Sequence, residues 1–130
     1  RDVAPSRGLG DVYKRQALMN IENTQAQMRK GILEYCILLI IARNDAYVQD
    51  IINKLRASKM LVVEGTVYPL LTRLKNTGLL AYRWEESTQG PPRKYYNITE
   101  QGRQFLQALE TSWEELTTAI EILKAPHTPQ

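Results

Sequence analysis

The stretch from Glu64 to Ile98 constrains the fold most strongly, because its hydrophobic period changes along its length. In its first part, apolar residues follow Val67 at spacings of three, four and seven, namely Leu70, Leu71 and Leu74. These spacings place the apolar side chains on one side of a helix. Thr77-Gly78 follows, and glycine is favoured at the left-handed position that ends a helix. The sequence therefore predicts an amphipathic helix that ends near Gly78.

Two runs suited to β-strands follow this helix, Leu79–Ser87 and Arg93–Ile98. We expect the intervening Thr88–Pro92, with its glycine and two prolines, to interrupt the ladder between them. A short helix that leads into a hairpin with a basic, Gly/Pro-rich tip is the outline of a winged helix-turn-helix. In that arrangement the helix enters the DNA major groove, and the hairpin, called the wing, lies beside the backbone.

Further helices are predicted upstream. Asn20–Arg29 is polar and opens the first helix, and Gly31–Arg43 is apolar nearly all round, which indicates a buried central segment. Tyr47–Leu55 returns to helical spacing and predicts the second helix. Leu61–Val63 suits a short strand at the sheet edge.

Pro69 bears on where the third helix, within Glu64–Gly78, begins. A proline costs little in the first turn of a helix, where its missing N–H has no partner anyway. We therefore expect this helix to start near Tyr68, with Thr66 as its N-cap.

The C-terminal segment carries a heptad repeat. Thr99 is a suitable N-cap, and Glu100 follows in the first turn, where the helix dipole favours an acidic residue. Apolar residues then recur at spacings of 3, 4, 3, 4 and 3, in the order Leu106, Leu109, Trp113, Leu116, Ile120 and Leu123. The repeat predicts about 25 residues of helix, roughly 37 Å long. A helix of that length extends beyond a small domain. We therefore expect these six residues to form a dimerisation seam with a second copy.

The predicted fold class is mainly α (α+β), a winged helix-turn-helix with a long C-terminal dimerisation helix. Residues 1–18 lack the periodic apolar pattern that the rest of the chain shows. We therefore interpret them as a non-native or disordered appendage. The expected divisions are then residues 19–98 for the DNA-binding domain, 99–124 for the dimerisation helix and 125–130 for a disordered tail.

The net charge of +3 is weak support for nucleic-acid binding, but the charge is distributed unevenly. Residues 19–98 carry eleven Lys and Arg against seven Asp and Glu, a balance of +4. Residues 99–130 carry two against five, a balance of −3. A basic body with an acidic tail helix is expected where one face meets phosphate. Ordinary solvated charge is the alternative.

Composition argues against several other classes of protein. The single cysteine, Cys36, cannot form an internal disulfide, and no apolar run approaches the ~20 residues of a membrane span. No apolar leader is visible, so we expect a cytoplasmic protein without a membrane partner. The single histidine, His127, lies in a Pro-flanked tail, and metal-ligand clusters and phosphate-cradling glycine loops are lacking, so we predict no enzyme activity, cofactor or metal. A winged helix used for protein–protein assembly is the alternative to DNA binding.

Several motifs together resemble the PadR family of bacterial transcriptional regulators. They are Gly31-Ile32-Leu33-Glu34, Gly65-Thr66-Val67-Tyr68-Pro69-Leu70-Leu71-Thr72-Arg73-Leu74, Gly78-Leu79-Leu80 and Gly90-Pro91-Pro92-Arg93-Lys94-Tyr95-Tyr96-Asn97-Ile98-Thr99. The resemblance implies a dimeric winged-helix repressor that binds a palindromic operator in double-stranded DNA and is often released by a small ligand. The single tail helix is similar to the smaller subgroup of the family. Val48-Gln49 departs from the Gly-Tyr that is usual at this place in the second helix.

Polar residues off the apolar stripe of the third helix are the first candidates for DNA contact. They are Thr66, Tyr68, Thr72, Arg73 and Lys75. Arg73 or Lys75 could reach guanine edges or phosphates, and Thr66 and Tyr68 could donate to phosphate near the helix N-terminus. Alternatively, Tyr68 packs on the wing and Arg73 pairs with a carboxylate.

The wing supplies a second group of candidates, namely Gln89, Gly90, Arg93 and Lys94. The adjacent basic pair suits phosphate or minor-groove contact, unless the hairpin is simply solvated. Arg29 and Lys30 are further candidates for contact with the DNA backbone. The aromatic residues of the hairpin are expected in the core, since duplex DNA offers no unstacked bases; they are Tyr82, Trp84, Tyr95 and Tyr96.

Trp113 is also a candidate ligand-binding residue, with Tyr35 as a weaker companion. In some relatives, as the resemblance implies, a tryptophan at this place meets its symmetry mate and stacks on flat aromatic ligands between subunits. A small aromatic molecule is therefore a candidate partner. Packing within the dimer seam is the alternative.

Overall fold

The computed structural model describes residues 6–60 and 64–126. The chain divides into two compact units, residues 1–34 and residues 35–130. Helix α1 spans Ser6–Arg43, so its last nine residues belong to the second unit. The other elements, all in the second unit, are α2 (Val48–Ala57), α3 (Glu64–Asn76), β1 (Leu80–Ser87), β2 (Gly90–Ile98) and α4 (Glu100–Lys124). Apart from the short strand expected at residues 61–63, which lie outside the described residues, this order of elements is the one that the sequence predicts.

Apolar residues from every element of the second unit form its core. The buried side chains are Ile37, Leu38, Ile41, Ala46, Ile51, Ile52, Leu55, Val67, Leu71, Leu74, Leu80, Tyr96, Ile98 and Leu106. Leu39 on α1 is exposed, so the segment Gly31–Arg43 is not buried on all sides, although its apolar composition predicts that it would be. Leu106 is only 7% exposed within one chain. It therefore belongs to the core of its own chain, whereas the sequence assigned it to the dimer seam.

The ends of α2 and α3 have the same backbone geometry. Gly78 ends α3 with φ +84°, in the left-handed region that glycine tolerates. The Leu79 N–H donates to the Leu74 carbonyl at 3.0 Å, which is the outer hydrogen bond of a Schellman cap. Lys59 ends α2 with φ +64°, although it is not a glycine. Gly78 thus confirms the predicted end of α3.

The start of α3 differs from the prediction. The helix already contains Glu64 and Gly65, so Thr66 lies inside it rather than at its N-cap, and Pro69 lies in its second turn. Pro69 removes the N–H that would bond to the Gly65 carbonyl. Because Gly65 is exposed, water can satisfy that carbonyl. Residues 61–63, for which a short edge strand is expected, lie outside the described residues.

Strands β1 and β2 form an antiparallel hairpin, and its ladder is longer than predicted. Strand β2 begins at Gly90 and includes Pro91 and Pro92. The register shifts by one residue between Glu85 and Ser87, so the two prolines lie opposite Glu86 in a β-bulge. A bulge accommodates proline because it leaves residues out of the regular hydrogen-bond pattern.

The hairpin is tied to the helices at its base. Ala46, between α1 and α2, exchanges two backbone hydrogen bonds of 2.8 and 3.1 Å with Tyr96 of β2.

Thr99 caps α4 as predicted, because its hydroxyl accepts the Gly102 N–H at 3.0 Å. A Cβ on Gly102 would overlap the Leu79 carbonyl oxygen, so α4 approaches the start of β1 as closely as a glycine permits.

The first unit contains the N-terminal part of α1. Residues 6–18 have a helical backbone, in contrast to the disordered appendage expected from the sequence. That these residues are a non-native appendage stays a prediction. Within residues 6–60 and 64–126, every helix is too short or too polar to cross a membrane.

Candidate nucleic-acid interface

The outward face of α3 carries the first group of predicted DNA contacts. Tyr68, Thr72 and Lys75 follow one another at spacings of four and three residues, and all three are exposed. Tyr68 leaves 52% of its surface accessible. Thr66 is half-buried, and Arg73 is exposed. An exposed helix face with hydroxyl and cationic side chains suits the major groove, where base edges offer donors and acceptors.

Strand alternation places the two basic residues of the wing on opposite faces of the hairpin. Lys94 pairs with Trp84 in the register, and Arg93 pairs with Glu85. Successive side chains of a strand point to opposite sides, so the predicted basic pair is divided. We call the side with Tyr82, Trp84 and Lys94 the lysine face, and the side with Arg83, Arg93 and Tyr95 the arginine face.

The lysine face meets the end of α3. The Lys94 Nζ atom lies 4.4 Å from the ring centroid of Tyr82 and 5.4 Å from that of Trp84. The Lys75 Nζ atom, from the last turn of α3, lies 5.6 Å from the centroid of the same Tyr82 ring. An aromatic ring attracts a cation within about 6 Å of its centroid. Cations from α3 and from the wing are therefore brought together on this face.

The aromatic residues of the lysine face are only partly buried. Tyr96 is in the core, Tyr82 is half-buried and Trp84 is 62% exposed. The Tyr82 ring centroid lies 5.8 Å from that of Tyr96 and 6.2 Å from that of Trp84. Burial raises the pKa of Tyr96, and the nearby Tyr82 and Tyr68 raise it further. The expectation that these rings form the core therefore holds for Tyr96 and is wrong for Trp84, where β1 extends past the core.

The arginine face is anchored to the loop between α1 and α2. The Arg93 guanidinium carbon lies 4.5 Å from the ring centroid of Tyr47, which immediately precedes α2. Arg83 forms ion pairs with Asp45 and with Glu85, the latter at 3.1 Å, and these hydrogen-bonding carboxylates raise the Arg83 pKa. Sequence reasoning missed Arg83 because Asp45 is 38 residues away and no local pattern marks the pair.

The other predicted DNA contacts occupy separate places. Gln89 and Gly90 lie at the exposed hairpin tip, where the Gln89 N–H donates to the Ser87 hydroxyl at 3.3 Å. Arg29 and Lys30 belong to the first unit, and their contact with DNA stays a prediction.

Metal or thiol chemistry has little support from the geometry. Among the described residues, groups of three or more His, Cys, Asp or Glu side chains that could hold a metal ion do not occur. Burial raises the pKa of the Cys36 thiol, which disfavours the reactive thiolate at neutral pH.

Comparison with known proteins decides the family. The model of the transcriptional regulator PadR-like family matches residues 37–108, from within α1 to within α4. The chain belongs to the PadR-like family. The members of this family are transcriptional regulators rather than enzymes, and membership implies regulation through DNA binding.

Solved PadR-like structures share the fold. A PadR-like transcription factor from Bacteroides fragilis is 57% identical, with 78% of this chain and 98% of that chain covered and a TM-score of 0.67. A PadR-like regulator from Bacillus cereus is 36% identical, with 77% and 99% covered and a TM-score of 0.69. A PadR family regulator from Eggerthella lenta is 29% identical, with 85% and 99% covered and a TM-score of 0.74. These likenesses confirm the predicted winged helix-turn-helix with a C-terminal helix.

The two predicted ligand residues of this PadR-like chain lie together. Tyr35 on α1 and Trp113 on α4 have ring centroids 6.3 Å apart. Burial raises the pKa of Tyr35, and the carboxylates of Glu110 and Glu114 raise it further. Trp113 remains exposed. The pair therefore presents an aromatic surface next to negative charge.

The C-terminal half of α4 exposes most of the predicted dimer seam. Leu116, Ile120 and Leu123 are exposed, and Leu123 leaves 82% of its surface accessible. Leu109 is half-buried. An apolar stripe at heptad spacing on an exposed helix is typical of contact with another helix. Whether this PadR-like chain pairs through that stripe stays a prediction.

Proposed function

We propose that this PadR-like chain is a homodimeric, ligand-responsive repressor that binds a palindromic operator. One observation carries the DNA-binding part, namely that Lys75 of α3 and Lys94 of the wing approach the same Tyr82 ring. Cations at the end of a recognition helix contact phosphates, while Tyr68 and Thr72 on the same helix face reach base edges or the backbone. The resulting surface combines affinity for DNA with a means of reading sequence.

The proposed homodimer is supported by the exposed stripe on α4. Trp113, Leu116, Ile120 and Leu123 repeat at heptad spacing and would bury their apolar surface against a second copy. A symmetric dimer sets two copies of α3 about 34 Å apart, one turn of DNA, so its binding site is a palindrome. The acidic balance of residues 99–130 keeps this end of the molecule away from phosphate.

The proposed ligand is a flat aromatic molecule, and the Tyr35–Trp113 pair supports it. Its rings could stack on a planar ligand, and Glu110 and Glu114 would favour a positive charge on that ligand. A ligand that prefers one of two dimer arrangements shifts the distance between the two copies of α3. The operator is then released because the two helices no longer match successive major grooves.

The test measures binding to the DNA upstream of the protein's own reading frame. Fluorescence anisotropy is recorded for that duplex and for a scrambled duplex of the same length and composition, at low salt and at physiological salt. We expect tighter binding to the upstream duplex, with two chains per site. Equal affinity for both duplexes would contradict an operator. Failure to bind either duplex at low salt would favour a protein–protein assembly module.

A further inference from the structure

Tyr82 has an unusual position, because one ring faces two cations from different elements. The Lys75 Nζ atom belongs to α3 and the Lys94 Nζ atom to β2, and they lie 5.6 and 4.4 Å from the Tyr82 ring centroid. The two ammonium groups are therefore at most 10 Å apart. Phosphates follow one another every ~3.4 Å of axis along a DNA strand, so a pair of cations at this distance can meet nearby phosphates.

The Tyr82 ring is the contact that the two cations share. Within the part of the chain that the structure describes, Lys75 and Lys94 form no ion pair with a carboxylate. Glu85 lies on the opposite side of the hairpin and is paired with Arg83. The negative face of an aromatic ring attracts a cation without neutralising it. Both ammonium groups therefore remain available to an anionic partner.

The ring itself is held by the core. Tyr82 is opposite Tyr96 in the register, and the two ring centroids are 5.8 Å apart. Tyr96 is buried and is fixed by its backbone bonds to Ala46. The position of the Tyr82 ring is thus set by the hairpin base, and the two lysines are placed relative to that base.

We propose that Tyr82 is a positioning residue for DNA binding, which holds the ammonium groups of Lys75 and Lys94 on one surface so that both meet the phosphate backbone. The proposal rests on the DNA binding proposed above. It assigns to Tyr82 a role that acts through the two lysines rather than through direct contact with bases.

The first experiment compares Tyr82→Leu with Tyr82→Phe in the full chain. Tyr82→Leu removes the ring, and we expect about three- to tenfold weaker binding to the upstream duplex with a flatter salt dependence. Tyr82→Phe retains the ring and should bind like the wild type. Tyr95→Leu is the matched control, because it removes a half-buried ring from the arginine face of the same hairpin. Its affinity for DNA should be unchanged.

A double-mutant cycle separates positioning from a general structural effect. In a chain that carries Lys75→Ala and Lys94→Ala, adding Tyr82→Leu should cause no further loss of affinity, because the residues it positions are gone. The same fold-loss in both backgrounds would overturn the proposal. If the wild type bound no duplex at all, the proposed function would fail as well, which is a distinguishable result.

A spectroscopic measurement covers the case in which Tyr82→Leu does not fold. The ε-methylene protons of Lys75 and Lys94 should show upfield NMR shifts in the wild type and in Tyr82→Phe, since both lie over an aromatic ring. Ordinary random-coil shifts for these protons in the folded wild type would overturn the proposal. Loss of DNA binding by a folded Tyr82→Phe would also overturn it, because the hydroxyl rather than the ring would then be responsible.

Discussion

The hydroxyl group of Thr99 lies 2.7 Å from the carbonyl oxygen of Gly78, the residue that ends α3. The same hydroxyl accepts the N–H of Gly102 in the first turn of α4. One side chain therefore connects the helix that carries the proposed DNA contacts to the helix that carries the proposed dimer seam. Thr99 is thus one point at which the start of α4 and the end of α3 are joined.

Replacing Thr99 by alanine should lower the free energy of unfolding by about 1–2 kcal/mol, because the N-cap bond and the bond to the α3 end are both lost. Thr111→Ala is the control, since the Thr111 hydroxyl is exposed and donates to Gln107 within the same helix. Urea unfolding of both variants measures the difference. Similar losses in the two variants would mean that the Thr99 bonds add no stability of their own.

Gly102→Ala should destabilise the protein by about 2–3 kcal/mol, because the added methyl overlaps the Leu79 carbonyl oxygen. It would also lie 2.7 Å from the Ile98 Cγ1 atom. Gly65→Ala is the matched control, since nothing lies within 4 Å of a Cβ at that helical position. It should stabilise α3 by about 0.5–1 kcal/mol. Thermal unfolding distinguishes the two signs, and a neutral Gly102→Ala would contradict the close approach.

Lys59→Gly should raise the free energy of unfolding by about 1 kcal/mol. Lys59 has φ +64°, and a residue with a Cβ is strained in this left-handed region. Ala57→Gly, two residues earlier and still inside α2, should instead lower the free energy of unfolding by about 1 kcal/mol. Chemical denaturation measures the free energy of unfolding of both glycine variants. Changes of the same sign in the two variants would contradict strain at Lys59.

Lys94→Ala should flatten the dependence of log K for DNA on log salt by about one unit, since one phosphate contact is lost. Arg93→Ala should change it less, because Arg93 stacks on Tyr47 on the arginine face. The variant that combines Arg93→Ala and Lys94→Ala is then expected to flatten this slope by about one unit. Two basic residues on one face would give a change of about two units. Equal changes in the two single variants would show that both hairpin faces meet phosphate.

Leu116→Lys should convert the proposed homodimer into monomers, because a charged ammonium group would be buried in the seam. Ile122→Lys is the control, since Ile122 is also exposed on α4 but lies outside the heptad stripe. Sedimentation velocity reports the oligomeric state of both variants. A Leu116→Lys chain that remained dimeric, or an Ile122→Lys chain that became monomeric, would place the interface elsewhere on α4.

Features set by neighbouring residues could be predicted from the sequence. The stripe on α3, the Gly78 cap and the Thr99 cap each depend on residues within one or two helical turns. The expected start of α3 near Tyr68 is wrong, because a helix can lose one hydrogen bond at an exposed carbonyl. The strand prediction failed at Pro91 and Pro92, since a bulge exempts its residues from the ladder.

Features set by tertiary packing could not be predicted in this way. Arg93 and Lys94 are adjacent in the chain, yet strand alternation directs them to opposite faces. The Asp45–Arg83 pair and the shared Tyr82 ring join segments that are distant in sequence. Trp84 and Leu106 show the same limit, because an apolar pattern does not say how far the core extends along a strand or a helix.

The two prolines in the bulge have a consequence for how the wing behaves toward other chains. A two-stranded hairpin has two outer edges, and each part of an edge that is left unpaired is a template on which a foreign strand can be added. Pro91 and Pro92 offer no N–H groups along this part of the edge. The wing can therefore extend toward DNA with less risk that another chain adds a strand to it and starts aggregation.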